Sequence, residues 1–453
     1  MNRVFGTDGV RGVANGDLTP ERAFAIGRAG ATVLAHDSER HRAVIVGRDT
    51  RLSGSMLEAA IVAGITSVGR DVVSIGIVPT PAVATVTVRE GAAAGVMISA
   101  SHNPIADNGI KFFGPDGFKL SDADENEIET LLGRDDLPRP TGIDIGIARV
   151  AQNLAKHYYE ELYAGAADLT GIDVVVDAAF GAAYAIAPYA LRKLGATVHE
   201  INAENDGSRI NVKCGATDLR MLVEKVREVV AGGAARAIGV AFDGDADRAL
   251  FVDETATALS GDHAMYVLGC DAHERGELAG DTIVGTVMSN IGLERALARR
   301  GITLLRTAVG DRYVLERMRE DRLNFGGEQS GHIIDLRHNT TGDGPMTAIT
   351  LLSILARRGE RLHDLAADVV VAPQILINVE TPHKKVLDDP AIVAAGAAAQ
   401  AELDGSGRLL IRASGTEPLI RVMVEGDDRA SIERIAKGLA ARIEAAAESL
   451  AKN

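Results

Sequence analysis

The sequence predicts an α/β protein built from three related mixed α/β units followed by a smaller C-terminal α+β domain. The chain is 453 residues long, too long for one hydrophobic core, so roughly three or four domains are expected. Three segments begin alike: "RAVIVGRDTRLSG" (42–54), "GIDVVVDAAFGAA" (171–183) and "GDTIVGTVMSN" (280–290). Each is a short β-branched run, then small or polar residues, then a helical pattern, which is how α/β units open. The last segment differs, with strands "RLLIRA" and "LIRVMVEG" and a helix from about 428 to 446.

The boundaries follow in order. The first α/β domain covers 1–155, because "GRDDLPRPTG" (133–142) is polar and proline-bearing and "AQNLAKHYYEELYAG" reads as a helix leading into the next unit. The second covers 156–255, ending after the strand "ALFVD". The third covers 256–370 and the α+β domain 371–453, opening with "APQILINVETP". Abundant glycine and the absence of tryptophan favour tight turns and close backbone approaches over a bulky core.

Charge narrows the partners. Lys and Arg number 48 against 63 Asp and Glu, a net −15, so no broad basic surface for nucleic acid or anionic lipid is expected. A small anionic substrate would then depend on individual arginines and helix N-termini. Cys214 and Cys270, the only cysteines, lack metal-ligand spacing and point to a reducing compartment. With neither an apolar leader nor a run of about 18 apolar residues, the protein is expected to be soluble and cytoplasmic.

Five motifs carry chemistry. In "GVMISASHNPIADNGIKFFG" (95–114) an apolar strand stops at Ser101 and His102, with Lys111 following. Open α/β sheets place ligands at such strand ends, although a β-turn would have similar composition. The surroundings lack the G-x-S-x-G of a serine hydrolase, whereas a serine carrying a phosphoryl group needs a cation and a proton donor or acceptor. "AFDGDADRALFVD" (241–253) spaces Asp243, Asp245 and Asp247 at i, i+2 and i+4. A locally extended backbone would direct all three carboxylates to one side, suited to Mg²⁺. An EF-hand is rejected because Arg248 stands where that loop needs glycine and a strand follows; a solvated acidic loop is the alternative. "NFGGEQSGHII" (324–334) offers Glu328 and Ser330 to sugar hydroxyls, with His332 nearby, or is an ordinary loop. "IRASGTEPLIRV" (411–422) groups Arg412, Ser414, Gly415 and Thr416 in one turn with Arg421 on the next strand, the groups a phosphate dianion requires, unless it is a plain hairpin. "FGTDGVRG" (5–12) adds a glycine-rich loop with Arg11. Two phosphate positions suggest transfer between two ends of one substrate.

These five motifs, in this order and spread from residue 5 to 426, resemble those of the α-D-phosphohexomutases over essentially the whole chain. The resemblance implies four domains around a central cleft. It implies Ser101 as the phosphoserine, with Asp243, Asp245, Asp247 and the Ser101 phosphate holding one Mg²⁺. Lys111 is the first candidate for general acid/base and His332 the second, while Arg11, His102 and Arg248 support charge at the transferring group. Glu328 and Ser330 would contact the sugar, and Arg412 to Arg421 the distal phosphate. The implied reaction interconverts glucosamine 6-phosphate and glucosamine 1-phosphate, with glucosamine 1,6-bisphosphate as intermediate and primer; a homodimer is compatible with it. The competing expectations are a glucose or mannose phosphate substrate, or a non-catalytic sugar-phosphate sensor. One departure stands out: Ala246 occupies a position where the family more often has glycine. If that position needs φ > 0, the alanine costs on the order of 1 kcal/mol.

Overall fold

The structure, a computed structural model, describes residues 4–6, 8–34, 42–403, 405–414 and 418–452. The chain forms two compact units, one of residues 1–286 and 305–367, the other of residues 287–304 and 368–453.

In the first unit, the N-terminal sheet has the strand order Val10–Val13, Asp107–Phe113, Ala94–Ile98, Val44–Arg48, Val72–Ile77, Ala148–Val150. Ala94–Ile98 is buried along its whole length, as expected of a central strand covered on both faces. It runs parallel to Val44–Arg48 and antiparallel to Asp107–Phe113. The antiparallel return sets Lys111 opposite Met97, so the serine loop and Lys111 belong to one hairpin.

Helices Pro20–Leu34 and Gly54–Ser67 pack together in the same core as Val44, Val46, Val96 and Ile98. Their backbones approach closely because two glycines face the crossing. A Cβ on Gly64 would lie 2.3 Å from the Phe24 carbonyl oxygen, and one on Gly27 2.7 Å from that of Ile61.

The second sheet orders Ala258–Leu259, Ala249–Val252, Ala237–Phe242, Asp173–Asp177, Thr197–Ile201. Ala237–Phe242 and Ala249–Val252 are antiparallel, with Phe242 opposite Ala249, so the aspartate motif is the connection of a hairpin. In the third sheet, Thr282–Thr286 is parallel to Phe325–Gly327, which pairs antiparallel with Ile333–Asp335. The loop bearing Glu328, Ser330 and His332 joins those last two strands. All three repeated beginnings therefore form a strand followed by a helix: Val44–Arg48 with Gly54–Ser67, Asp173–Asp177 with Ala183–Lys193, and Thr282–Thr286 with Ile291–Arg299.

The second unit has a three-stranded antiparallel sheet ordered Gln374–Glu380, Leu419–Gly426, Gly407–Ala413. Helices Pro390–Leu403 and Arg429–Lys452 share its core, which includes Val379, Ile420, Val422, Ile435 and Leu439. Among the described residues, no helix is long and apolar enough to cross a membrane.

Gly64→Ala is expected to lower the stability of the first unit by about 1–3 kcal/mol, since the clash is with backbone and the helices must separate. The unfolding midpoint measures this; an unchanged midpoint would contradict the close crossing.

Candidate active site

Ser101 sits just beyond the end of Ala94–Ile98 with φ of 52°, in the left-handed region that costs an ordinary residue about 1–2 kcal/mol. Its surroundings hold it there. The Ser101 N–H donates to Ser99 Oγ at 2.9 Å, and Ser99 Oγ donates to Asp49 Oδ2 at 2.6 Å. The Ser101 carbonyl accepts from Arg51 at 2.8 Å and from Asn211 at 2.9 Å. The hydroxyl donates to Asp243 Oδ2 at 2.7 Å, with His102 Nδ1 3.3 Å away. Desolvation, Arg248 and Arg11 lower the His102 pKa to about 4, so its imidazole is neutral at pH 7.

The three aspartates converge, each offering a carboxylate oxygen within 4.8 Å of the others, and all are buried. The connection is a turn and not the extended run that the spacing suggested: the Ala246 N–H donates to the Asp243 carbonyl at 3.1 Å, and Ala246 has φ of 57°. Reversal of the chain gathers the carboxylates, and the alanine occupies the conformation in which glycine would be unstrained. Burial, Asp247 and Asp245 push the Asp243 pKa well above the carboxylate range. Asp245 Oδ1 and Asp247 Oδ1 are buried without a hydrogen-bond partner. Three clustered, buried carboxylates, two of them with an orphaned oxygen, are the donor set of a hard divalent cation, so these residues fit a metal site.

Lys111 lies against this cluster, its Nζ 2.9 Å from Asp245 Oδ2, 2.9 Å from Asp8 Oδ2 and 3.6 Å from Asp247 Oδ2. Although burial opposes its charge, Asp245, Asp8 and Asp247 raise the Lys111 pKa, and the ammonium stays protonated. Conversely, Lys111 and the Thr80 hydroxyl, which donates at 2.6 Å, hold buried Asp245 ionised despite its desolvation. The alternation continues outward. Asp8 pairs with Lys119 at 2.5 Å, Lys119 pairs with Asp311, and His332 Nε2 lies 3.6 Å from Asp311 Oδ2 and 3.7 Å from Asp247 Oδ2. Lys111, Asp8, Lys119, Asp311, His332 and Asp247 thus form a closed ring, with Lys111 on strand Asp107–Phe113, Asp311 at the start of helix Asp311–Glu320 and the others in connections around the three sheets. Arg11 pairs with Asp8 and donates to Asn103 Oδ1 at 3.0 Å, while Arg248 Nε is 3.9 Å from both Asp243 and Asp247.

The loop after Phe325–Gly327 and the helix that begins at Gly344 are both fastened to the aspartate hairpin through backbone. Ala249 N–H donates to the Gly331 carbonyl at 3.0 Å, and Gly344 N–H to that of Ala246 at 3.1 Å. Glu328 accepts from the Gly310 N–H at 3.0 Å. Ser330 Oγ and both ring nitrogens of His332 are shielded and have no hydrogen-bond partner, so this loop holds polar groups with unused capacity.

In the second unit, Arg412 and Arg421 are directly opposite on neighbouring antiparallel strands, which puts their side chains on one face. Burial and Arg421 lower the Arg412 pKa. Ser414 follows, its carbonyl accepting from Lys384 Nζ. Gly415 and Thr416 lie outside the described residues. Two facing guanidiniums with a lysine near the same turn make a strong locus for an anion.

The first unit thus brings together Ser101, His102, Lys111, Arg11, Asp243, Asp245, Asp247, Arg248, Glu328, Ser330 and His332, and the second holds Arg412, Ser414 and Arg421. Sequence reasoning missed Asp8, Asp49, Arg51, Thr80, Lys119, Asn211 and Asp311. Asp8 lies inside the quoted "FGTDGVRG", and Asp49 and Arg51 inside "GRDTRLSG". For Asp49 and Arg51 the available signal was a polar pair directly after strand Val44–Arg48, and for Asp8 its place in a glycine-rich loop.

A serine seated among buried carboxylates on an α/β scaffold, with a lysine locked beside it, defines a phosphoryl-transfer enzyme. Comparison with known proteins narrows the class. Residues 2–139, 156–257 and 260–371 match the phosphoglucomutase/phosphomannomutase alpha/beta/alpha domains I, II and III, and residues 376–442 match the C-terminal domain of the same family. The phosphoglucosamine mutase of Moorella thermoacetica is 52% identical over 443 residues, covering 97% of this chain and 98% of that one. That of Symbiobacterium thermophilum is 51% identical over 444 residues, with 97% and 98% covered. Among solved structures, a phosphoglucomutase/phosphomannomutase family protein from Burkholderia thailandensis shares the fold with a TM-score of 0.82 at 24% identity, covering 98% of each chain. The chain belongs to the phosphoglucomutase/phosphomannomutase family and, within it, to the phosphoglucosamine mutases.

A Cβ on Gly244 would lie 2.5 Å from the Ser101 carbonyl oxygen. Gly244→Ala is therefore expected to force the aspartate turn away from the serine loop and to reduce kcat at least tenfold in steady-state assays, with stability lowered by about 1–3 kcal/mol. Wild-type kcat in this variant would contradict the contact.

Proposed function

We propose that the chain interconverts glucosamine 6-phosphate and glucosamine 1-phosphate through a phosphorylated Ser101, supplying UDP-N-acetylglucosamine and cell-wall precursor synthesis in a reducing, cytoplasmic compartment. The observation that carries this reading is the Ser101 hydroxyl donating to Asp243 inside the buried acidic triad. Close relationship to phosphoglucosamine mutases supports the choice of sugar.

In the forward half-reaction, the C1 hydroxyl of glucosamine 6-phosphate attacks the phosphorus of phosphorylated Ser101. The bond from phosphorus to Ser101 Oγ breaks, the proton of the attacking hydroxyl passes in net to the departing Ser101 Oγ, and the sugar becomes glucosamine 1,6-bisphosphate. After reorientation of the sugar, Ser101 Oγ attacks the 6-phosphoryl group. The bond from phosphorus to the C6 oxygen breaks, the proton of the Ser101 hydroxyl passes in net to that oxygen, the serine is phosphorylated again, and glucosamine 1-phosphate is released.

Asp243, Asp245, Asp247 and the Ser101 phosphate would hold Mg²⁺, which neutralises phosphoryl charge when bound. Lys111, kept protonated by its carboxylates, is the first candidate to donate a proton and to offset charge on the transferring group, with His332 the second. Arg11, His102 and Arg248 surround the same group. Neutral His102 accepts or donates a hydrogen bond without adding charge. Glu328 and Ser330 are assigned to the sugar hydroxyls, and Arg412, Ser414, Gly415, Thr416 and Arg421 to the phosphate that is not being transferred. This reading requires neither nucleic acid nor a membrane and accommodates a homodimer.

A coupled assay with glucosamine 6-phosphate, Mg²⁺ and the bisphosphate primer tests the reading, and kcat/KM ratios against the glucose and mannose phosphates test the sugar. A preference for mannose or glucose phosphate would overturn the substrate assignment; binding with no interconversion would make the protein a sensor. Ser101→Ala is expected to abolish turnover while leaving the unfolding midpoint nearly unchanged, since a small side chain is lost and no core is opened. Substantial residual activity would exclude the phosphoserine route. Arg421→Ala is expected to weaken substrate or intermediate binding by roughly 2–4 kcal/mol, measured as a higher KM or as escape of bisphosphate; an unchanged KM with no escape would remove Arg421 from the phosphate site.

A further inference from the structure

We propose that Arg51 and Asn211 are positioning residues that fix the backbone of Ser101 in its reactive conformation by holding one carbonyl oxygen from two domains. The inference rests on the phosphoserine reading above and adds a pair of residues that no functional motif marks.

The Arg51 side chain is fully shielded from solvent, and all five of its N–H donors are accounted for. Nε pairs with Asp49 Oδ2 at 3.0 Å. One terminal nitrogen donates to the carbonyls of Pro104 at 2.6 Å and Asp107 at 3.0 Å, and the other to those of Ser101 and Asn103, each at 2.8 Å. Every acceptor except Asp49 is backbone of the loop that carries Ser101. A planar fork with five fixed directions defines the path of that loop in a way that a lysine, with one rotating ammonium, cannot. Asp49 aims the fork and reaches the same serine by a second route, through Ser99 Oγ to the Ser101 N–H.

Asn211 approaches from the second α/β domain. Its Nδ2 donates to the Ser101 carbonyl at 2.9 Å and lies 3.4 Å from that of Asn103. Asn211 is itself at φ of 60°, and its N–H donates to the Ala179 carbonyl at 3.1 Å. The serine thus has its N–H and its carbonyl both held from outside while its φ is 52°. A residue in the left-handed region relaxes unless its neighbours over-determine it, and relaxation here would swing Oγ away from Asp243. Neither residue touches the reacting atoms; each acts through the Ser101 backbone.

The test compares wild type with Asn211→Asp, which keeps shape but replaces the donor by an acceptor, and with Arg51→Lys, which keeps charge but loses the fork. Expected for Asn211→Asp are a fall in kcat of at least tenfold, a KM within about twofold and an unchanged unfolding midpoint; Arg51→Lys should lose at least a hundredfold in kcat. Arg51 is buried, so Asn211→Asp decides the matter if the lysine variant fails to fold. Phosphate transfer is also followed by intact mass after incubation with glucosamine 1,6-bisphosphate, a readout that does not need full turnover. Slower loading of Ser101 in Asn211→Asp is expected. Wild-type kcat and wild-type loading in Asn211→Asp, or a raised KM at unchanged kcat, would overturn the positioning role. Absence of both turnover and loading in wild type itself would overturn the phosphoserine reading, and this inference with it.

Discussion

Three carboxylates held within 4.8 Å of one another in a buried setting are the constraint around which the first unit is organised. At that separation like charges repel strongly, because little water is present to screen them. The protein answers in two ways. Lys111 and the Thr80 hydroxyl keep Asp245 ionised, while Asp243, where desolvation and the two aspartate neighbours outweigh Arg248 at 3.9 Å, is driven towards its protonated form. The imbalance left over is what a divalent cation would relieve. Lys111 is in turn too rich in carboxylate neighbours to lose its proton easily, so within this cluster it compensates negative charge.

The remaining architecture can be read as the means of bringing that cluster to a serine. A buried strand delivers Ser101, its hairpin partner delivers Lys111, and the hairpin of the second sheet delivers the aspartates. A backbone bond from Ala249 ties the third sheet's loop to the same hairpin, and one from Gly344 ties the start of a helix to Ala246. Close approach is essential, and the chain provides it with small residues: Gly244 admits the Ser101 carbonyl, and a Cβ on Gly207 would stand 1.9 Å from the Thr50 carbonyl oxygen. Breaking one element of the ring from Lys111 through Asp8, Lys119, Asp311, His332 and Asp247 would leave charges exposed to one another across domain boundaries. A site of this kind costs more when partly assembled than when complete.

Much of this was legible in the sequence. The three strand-to-helix beginnings, the alternating aspartates and the serine at a strand end are local patterns, and local patterns survive in one dimension. Even the strain at Ala246 could be anticipated, since a family position favouring glycine implies positive φ, and φ there is 57°. What stayed hidden is long-range. Lys119 meets Asp311 across 192 positions, Asn211 meets Ser101 across 110, and Thr80 meets Asp245 across 165. None of these residues has a spacing that betrays its partner. The aspartate spacing also gave the right cluster for the wrong reason, because a turn, and not an extended strand, gathers the side chains. Arg51 shows the limit best: it stood in a quoted segment, yet only the fold reveals that its five donors trace the serine loop.

The most direct measurement is anomalous scattering from crystals soaked with Mn²⁺ in place of Mg²⁺. A single strong peak coordinated by Asp243, Asp245 and Asp247, with the Ser101 oxygen or its phosphate completing the site, is the result predicted by the buried-charge account. A peak elsewhere, or none at a concentration that supports turnover, would contradict it.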